Sequence, residues 1–234
     1  MMELDFPFYY LIANADSGGV FTYFNNANLA GKFILFTLFA LSLTAWTVML
    51  GKFWDLWRLH STNRNFEASL KSSDPIVQMS LRSWQQGRST YAQLVTAALQ
   101  GYHSVSKGKP CAKDKMRFVE NALERTVAEV TLQYESKMVA LGSIISGAPF
   151  LGLLGTVWGV MDAFGNIALQ NNAHIQTLAP GVSGALLTTV AGLLVAIPSV
   201  FGYNALLSQT KQMTTELENF ASSLADRIER EFSV

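Results

Sequence analysis

Charged side chains are scarce in this sequence. Only 15% of its 234 residues are Asp, Glu, Lys or Arg, whereas half are hydrophobic; an average soluble domain has about 25% charged residues. Between Lys137 and Lys211 a single residue, Asp162, carries a charge at neutral pH. So long a stretch with one charge is typical of membrane-spanning segments, and the sequence therefore predicts a membrane protein.

Residues suited to catalysis or metal binding are also few. The one cysteine, Cys111, excludes an intrachain disulfide. The three histidines, His60, His103 and His174, are far apart in the sequence and are best read as surface or interface residues. No pair of carboxylates, metal-ligand cluster, phosphate-binding loop or nucleophile with its base is recognisable. We therefore predict neither an enzyme nor a protein with a metal, a cofactor or a nucleic-acid partner.

Three uncharged stretches can each supply a helix of about 20 apolar residues, the length that a bilayer core needs. They are 33–51, 138–161 and 163–210, the last interrupted by the polar residues 170–176. The first stretch is not expected to be a signal peptide, because it lacks a basic N-terminal region, with neither Lys nor Arg in residues 1–31, and because it is too long and begins too late. The sequence thus predicts an all-α integral membrane protein with three transmembrane helices, the second and third extended into a cytoplasmic helical bundle.

The distribution of Lys and Arg predicts the orientation. Basic residues follow the first span, precede the second and follow the third, whereas residues 1–31 and 163–179 contain none. Because basic residues favour the cytoplasmic side, we predict a periplasmic N-terminus and a cytoplasmic C-terminus in a bacterial inner membrane. The predicted order is a periplasmic segment that could lie on the membrane surface as a helix (1–31), transmembrane helix 1 (32–52), a cytoplasmic helical region (53–137), transmembrane helix 2 (138–162), a periplasmic hairpin (163–178), transmembrane helix 3 (179–207) and a cytoplasmic helix (208–234).

Two apolar stripes predict how the cytoplasmic parts form helices. Their members recur at spacings of three and four, as on one face of an α-helix. The first stripe leads into the second span without a charged linker, which predicts one long helix there, with a turn at Gly108–Pro110 before it. The stripes are Leu123, Val127, Val130, Tyr134 and Met138, and Leu206, Met213, Leu217, Phe220, Leu224 and Ile228.

Small residues and prolines are concentrated in the second and third spans. Small residues allow membrane helices to approach closely, and Pro149 and Pro198 each remove a helical hydrogen bond. Pro180 is expected to begin the third span, where proline is favoured. The positions assigned to close packing or helix breaks are Pro149, Gly152, Gly155, Gly159, Pro180, Gly181, Gly184, Gly192 and Pro198.

Threonines and one acid are the polar groups of these spans. Thr156 lies about 9 Å along a helix from Asp162, and Thr189 about 13 Å from Pro180, so antiparallel helices would bring both hydroxyls to a similar depth. Either hydroxyl could bond the backbone of its own helix. As a pair at one depth, the two favour a polar lining shared by both helices, and we assign Thr188 to this lining as well. Asp162 is either a functional acid or a solvated carboxylate at the membrane surface, and its position at the end of the span favours the second.

Two blocks of sequence carry a family resemblance. The first reads Ala148-Pro149-Phe150 and then Gly-Leu-Leu-Gly-Thr-Val-Trp-Gly-Val-Met from Gly152. The second block comprises Leu178-Ala179-Pro180-Gly181, Ala185-Leu186-Leu187, Thr189, Ala191-Gly192, Ala196-Ile197-Pro198 and Tyr203-Asn204. In order, spacing and span topology the two blocks resemble the MotA/TolQ/ExbB family of proton channels and stators, in its three-span TolQ and ExbB branch.

The resemblance implies a subunit of a ring, usually of five copies, that encloses single-span helices of an ExbD- or TolR-like partner. It implies that protons carried by an aspartate of that partner turn the ring, and that a TonB-like or TolA-like protein couples the motion to the outer membrane. Thr156 and Thr189 match the pore-facing threonines of the family. One departure is Gly184, which stands where the family commonly has a glutamate, so the role of that acid does not transfer.

Three functions remain to be compared. The favoured one is a proton-channel or stator subunit that energises outer-membrane transport, as an ExbB-like protein, or envelope integrity and division, as a TolQ-like protein. The second is a non-conducting membrane scaffold that only holds the partner helices. A small-molecule transporter is disfavoured, because three spans without an internal repeat or a charge at their middle offer little binding site.

Overall fold

The computed structural model describes Phe24 and residues 27–71, 89–104, 112–170 and 175–232. Within these ranges every regular element is an α-helix and there is no strand, which confirms the all-α prediction. Residues 1–23, the predicted turn at Gly108–Pro110, Cys111 and His174 lie outside the described residues. The helices are α1 (Leu29–Lys71), α2 (Thr90–Ser104), α3 (Ala112–Glu135), α4 (Met138–Gln170) and α5 (Ile175–Phe232).

Within the described residues, three helical stretches are long and apolar enough to cross a membrane, in agreement with the prediction of three spans. They are Leu29–Leu70, Lys115–Ile167 and Leu178–Glu231. Each is much longer than the roughly 20 residues of a bilayer core, so each continues beyond the membrane. Where each span ends, and on which side, stays a prediction.

The chain divides into two compact units. The span unit comprises Met1–Thr47 and Ala140–Phe201, and the extension unit comprises Val48–Val139 and Gly202–Val234. The span unit contains most of the three uncharged stretches of the sequence. The extension unit contains most of the charged residues and both predicted stripes. This composition is expected of helices that have one face in water and the other in a core.

The core of the extension unit confirms the two stripes. Most of their members are buried, and Val127 and Phe220 are partly buried. Gly202 brings α5 against α1, because a Cβ at this position would overlap the Met49 side chain. The buried members of the stripes are Leu123, Val130, Tyr134, Met138, Leu206, Met213, Leu217, Leu224 and Ile228.

A turn at Ser136 and Lys137 corrects the prediction of one long helix into the second span. Lys137 has a φ of 67°, a left-handed conformation that is uncommon for a residue with a side chain. Lys52 stabilises the turn: its Nζ donates to the Gln133 carbonyl oxygen at 3.0 Å and to Ser136 Oγ at 3.3 Å. Lys52 is only 7% exposed. The carbonyl oxygen that it binds lies in the last turn of α3 and also accepts a hydrogen bond from Ser136 Oγ at 2.7 Å.

Helices α4 and α5 both extend into the predicted hairpin 163–178, whose bounds at the membrane stay a prediction. Helix α4 continues to Gln170 and α5 begins at Ile175. Pro180 therefore lies in the second turn of α5 and does not begin it, so it removes one hydrogen bond close to the helix start. Pro149 and Pro198 also lie inside continuous helices.

A buried polar network joins α1, α2 and α3. Asn63 Nδ2 donates to Thr90 Oγ1 at 2.8 Å, and Asn63 Oδ1 accepts from Ser89 Oγ at 2.8 Å and from the Thr90 backbone N–H at 3.1 Å. Thr90 Oγ1 lies 2.8 Å from the Tyr134 hydroxyl. Ser89 also accepts the Tyr91 backbone N–H at 3.2 Å, which caps the start of α2. All these groups lie in residues that are no more than 6% exposed. Because polar residues are mostly exposed in proteins, little in the sequence indicated this buried network.

We expect Asn63→Leu to lower the free energy of unfolding by about 3 kcal/mol, because buried donors and acceptors without partners cost about 1–3 kcal/mol each. The matched control is Thr210→Val. Thr210 is 2% exposed, and its Oγ1 has no hydrogen-bond partner within the described part of the chain. Its replacement should therefore be neutral or stabilising by up to about 1 kcal/mol. Thermal unfolding of the full chain in detergent measures both, and equal midpoints for the two variants would contradict the prediction.

Candidate functional site

The candidate site lies in the span unit, where α4 and α5 pack along their glycines. A Cβ at Gly152 would come within 2.8 Å of the Thr188 carbonyl oxygen, and one at Gly159 within 2.6 Å of Ala185 Cβ. A Cβ at Gly192 would come within 2.7 Å of the Ala148 carbonyl oxygen. Each distance is shorter than ordinary contacts, so the helix backbones approach to a distance that only glycine permits.

Thr156 and Thr189 lie side by side on these two helices. Thr189 Oγ1 donates to Thr156 Oγ1 at 3.5 Å, the outer limit of a hydrogen bond. This contact confirms that the two hydroxyls lie at one level. Thr156 Oγ1 in turn donates to the Leu153 carbonyl oxygen of its own helix at 2.7 Å. Both side chains are partly exposed, so the pair presents two hydroxyl oxygens to the surroundings of the unit.

Thr188 has a different environment. It is fully buried, and its hydroxyl lies 2.6 Å from the Ala185 carbonyl oxygen of α5 and 2.9 Å from the Gly152 carbonyl oxygen of α4. One hydroxyl proton serves both acceptors. A Cβ at Gly155 would overlap the Thr188 side chain. Thr188 therefore links the two helices and does not reach an open surface, unlike Thr156 and Thr189.

Charge is sparse among the described residues of the span unit. Among the residues described there, only Lys32 and Asp162 are charged at neutral pH. Asp162 is exposed, and α4 continues for two turns beyond it, to Gln170. Asp162 and Gly184 line the same cavity of about 500 Å³. The structure thus brings together two positions that are remote in sequence.

Two asparagines of this cavity were not singled out from the sequence. Asn28 accepts the Gly31 backbone N–H at 2.7 Å with its Oδ1, so it caps the N-terminus of α1. The signal was present, since Asn directly before an apolar helical run is a start signal. Asn166 lies one turn after Asp162 on α4 and lines the same cavity. It lies within the predicted hairpin, where no helical face could be assigned to it.

The extension unit has its own cavity of about 700 Å³. His60 Nδ1 lies 3.4 Å from Glu216 Oε2 there, which agrees with a surface histidine. Tyr91 stacks on Phe220 with ring centroids 4.1 Å apart. Burial, with Glu216 and Glu67 nearby, raises the pKa of Tyr91 to about 12, so its hydroxyl is neutral at physiological pH. Within the described ranges no group of three metal-ligating side chains occurs.

Comparisons with known proteins agree with this architecture. The model of the MotA/TolQ/ExbB proton channel family matches residues 86–219, more than half of the chain. The chain is 34% identical over 183 residues to the biopolymer transport protein ExbB of Pseudomonas putida. The aligned region covers 77% of this chain and 54% of that protein. The chain therefore spans about half the length of that relative.

Two further relatives are covered almost completely. The biopolymer transport protein ExbB of Neisseria meningitidis serogroup A is 29% identical over 86% of this chain and 91% of its own length. The Tol-Pal system protein TolQ of Haemophilus influenzae is 25% identical over 89% and 92%, respectively. With three helices able to span a membrane and both glycine-rich blocks in the matched region, the chain is a multi-pass membrane protein that belongs to the MotA/TolQ/ExbB proton channel family, in its TolQ/ExbB branch.

Proposed function

We propose that this chain is a non-enzymatic subunit of a proton-driven stator in the bacterial inner membrane, with its N-terminus in the periplasm and its C-terminus in the cytoplasm. It assembles as a homo-oligomer, a pentamer, around an ExbD- or TolR-like single-span partner. The partner then transmits the energy to a TonB-like or TolA-like protein. The names of the relatives, biopolymer transport and Tol-Pal system, support this class of function.

One observation carries the proposal. The Thr156 and Thr189 hydroxyls lie 3.5 Å apart and partly exposed in a unit whose described residues include only Lys32 and Asp162 as charged groups. Hydroxyls can donate and accept hydrogen bonds but do not titrate near neutral pH. They can orient water or a carboxylate, and in this proposal the proton carrier is the aspartate of the partner's helix. Thr188, which is buried, holds α4 against α5 in this proposal.

Proton flux distinguishes this function from the scaffold. The chain is reconstituted into liposomes with its partner, and proton uptake is measured with a pH-sensitive dye under an imposed gradient. A second preparation contains the partner with its membrane aspartate replaced by asparagine. We expect flux in the first and only the background leak in the second. Equal flux in both would favour a non-conducting scaffold.

The TolQ-like and ExbB-like roles are separated by a deletion in the source bacterium. Leakage of periplasmic enzymes and filamentous cells indicate the TolQ-like role, whereas loss of growth on iron complexes indicates the ExbB-like role. Relatives with both names match the chain over similar lengths, so sequence similarity alone does not separate them.

A further inference from the structure

The cavity shared by Asp162 and Gly184 is formed by three helices of the span unit. Its walls come from the start of α1, the last turns of α4 and the first turns of α5. Small residues make much of this wall, among them Gly31, Gly181 and Gly184. The cavity has a volume of about 500 Å³. It has room for on the order of ten water molecules.

The polar groups of the cavity favour cations. Asp162 contributes a carboxylate, and Asn28 and Asn166 contribute amides. Carboxylate and amide oxygens are ligands of hard cations and acceptors for hydronium. Among the described residues of the cavity wall, Asp162 is the only charged one. A cavity with polar groups of this kind is hydrated, whereas an apolar cavity of similar size stays dry.

The cavity wall does not include the other charged residue described in the span unit. Lys32 is not part of the cavity wall, and its Nζ lies 5.9 Å from the centre of the Phe24 ring. The N-terminus of α1, which carries a partial positive charge, is close to the cavity through Asn28 and Gly31. That partial charge is smaller than the full charge of the carboxylate, so it does not by itself offset the charge of Asp162.

We propose that this cavity is a water-filled cation vestibule, in which Asp162 raises the local concentration of small hydrated cations, hydronium among them, at the end of the span unit next to the α4–α5 connection. Clefts lined by one sign of charge raise local ion concentrations and association rates by about 10- to 1,000-fold. The contribution of the vestibule to proton conduction rests on the proposed function above, whereas its attraction for cations does not.

Charge-selective thiol modification tests the vestibule on this chain alone. Ile167, another residue of the cavity wall, is changed to cysteine in a Cys111→Ser background and reconstituted into liposomes. A trimethylammonium methanethiosulfonate and a sulfonate methanethiosulfonate are then applied on both sides of the membrane. We expect the cationic reagent to react about 10-fold faster than the anionic one, relative to their rates with a free thiol in solution. In 1 M salt this preference should largely disappear, because the Debye length falls to about 3 Å.

Two substitutions of Asp162 provide the matched comparison. Asp162→Asn should reduce the cation preference to that of the free thiol, and Asp162→Glu should keep it. If Ile167→Cys does not yield folded protein, Ala163→Cys reports on the same cavity. No reaction with either reagent would show a closed cavity and overturn the proposal. So would an unchanged preference in Asp162→Asn.

Proton flux then tests the contribution of the vestibule to conduction. With the partner present, Asp162→Asn should lower flux several-fold when the solution at the vestibule is at pH 7.5, and much less when it is at pH 5, where protons are abundant. Equal loss at both pH values would overturn this part of the proposal. If the unaltered complex conducts no protons, the proposed function fails, whereas the thiol result still decides whether the vestibule attracts cations.

Discussion

Replacing Thr189 with valine should leave the protein assembled in the membrane but reduce proton-driven activity to background. Valine has nearly the same shape as threonine but lacks the hydroxyl, so the packing of α4 against α5 is kept. The Oγ1–Oγ1 contact of 3.5 Å to Thr156 is lost, and the partly exposed hydroxyl pair can no longer orient water or a carboxylate. Proton flux in liposomes with the partner measures the activity, and native gel electrophoresis measures assembly.

Two controls separate a loss of the hydroxyl from a loss of structure. Thr189→Ser restores the hydroxyl and should restore most of the flux. Thr44→Val removes a hydroxyl of the span unit that is exposed and donates only to its own helix, to the Ala40 carbonyl oxygen at 2.9 Å, and it should conduct normally. Normal flux in Thr189→Val, or equal losses in Thr189→Val and Thr44→Val, would argue against the lining role.

Replacing Gly155 with valine should prevent correct packing of the span unit. A Cβ at Gly155 would overlap the Thr188 side chain, which is fully buried and bonded to the carbonyl oxygens of both helices. Overpacking of a filled core typically costs about 1–3 kcal/mol. Loss of the link from Thr188 to the Gly152 carbonyl oxygen would add about 1 kcal/mol. We expect a lower unfolding midpoint in detergent and little assembled protein in the membrane.

Gly147 and Gly165 are the matched controls for this prediction. Both lie on α4 in the span unit, and a Cβ at either would meet nothing within 4 Å. Gly147→Ala and Gly165→Ala should be neutral or stabilising by about 0.5–1 kcal/mol, because alanine is the better helix former. A wild-type midpoint for Gly155→Val, or a drop of equal size in Gly147→Ala, would contradict the assignment of Gly155 to a close helix contact.

Much of the fold could be predicted from the sequence, because it depends on local composition. The uncharged stretches around Asp162 and after Lys32 require helices, since only helices and closed barrels satisfy every backbone hydrogen bond in a bilayer. Three helices able to span a membrane are indeed present. The stripe residues of the extension unit are buried as their spacing predicted, because the period of a helix fixes which side chains share a face.

The helix ends were less predictable, because distant contacts determine them. The turn at Ser136 and Lys137 depends on Lys52, whose Nζ bonds the end of α3 from another helix. Nothing in the sequence near Lys137 indicates this interaction, since the apolar stripe continues through it. Similarly, α4 continues past Asp162 to Gln170, although the uncharged stretch of the sequence ends at Asp162.

The sequence alone determined the number of spans, the glycine-rich blocks and the near absence of titratable groups between Lys137 and Lys211. Only the tertiary structure decided which threonines are accessible: Thr156 and Thr189 share a partly exposed contact, whereas Thr188, the direct neighbour of Thr189, is fully buried. It also decided that Asp162 and Gly184 line one cavity. Adjacent residues on a helix differ by about 100° in direction, so which of them contacts a neighbouring helix depends on how the helices pack.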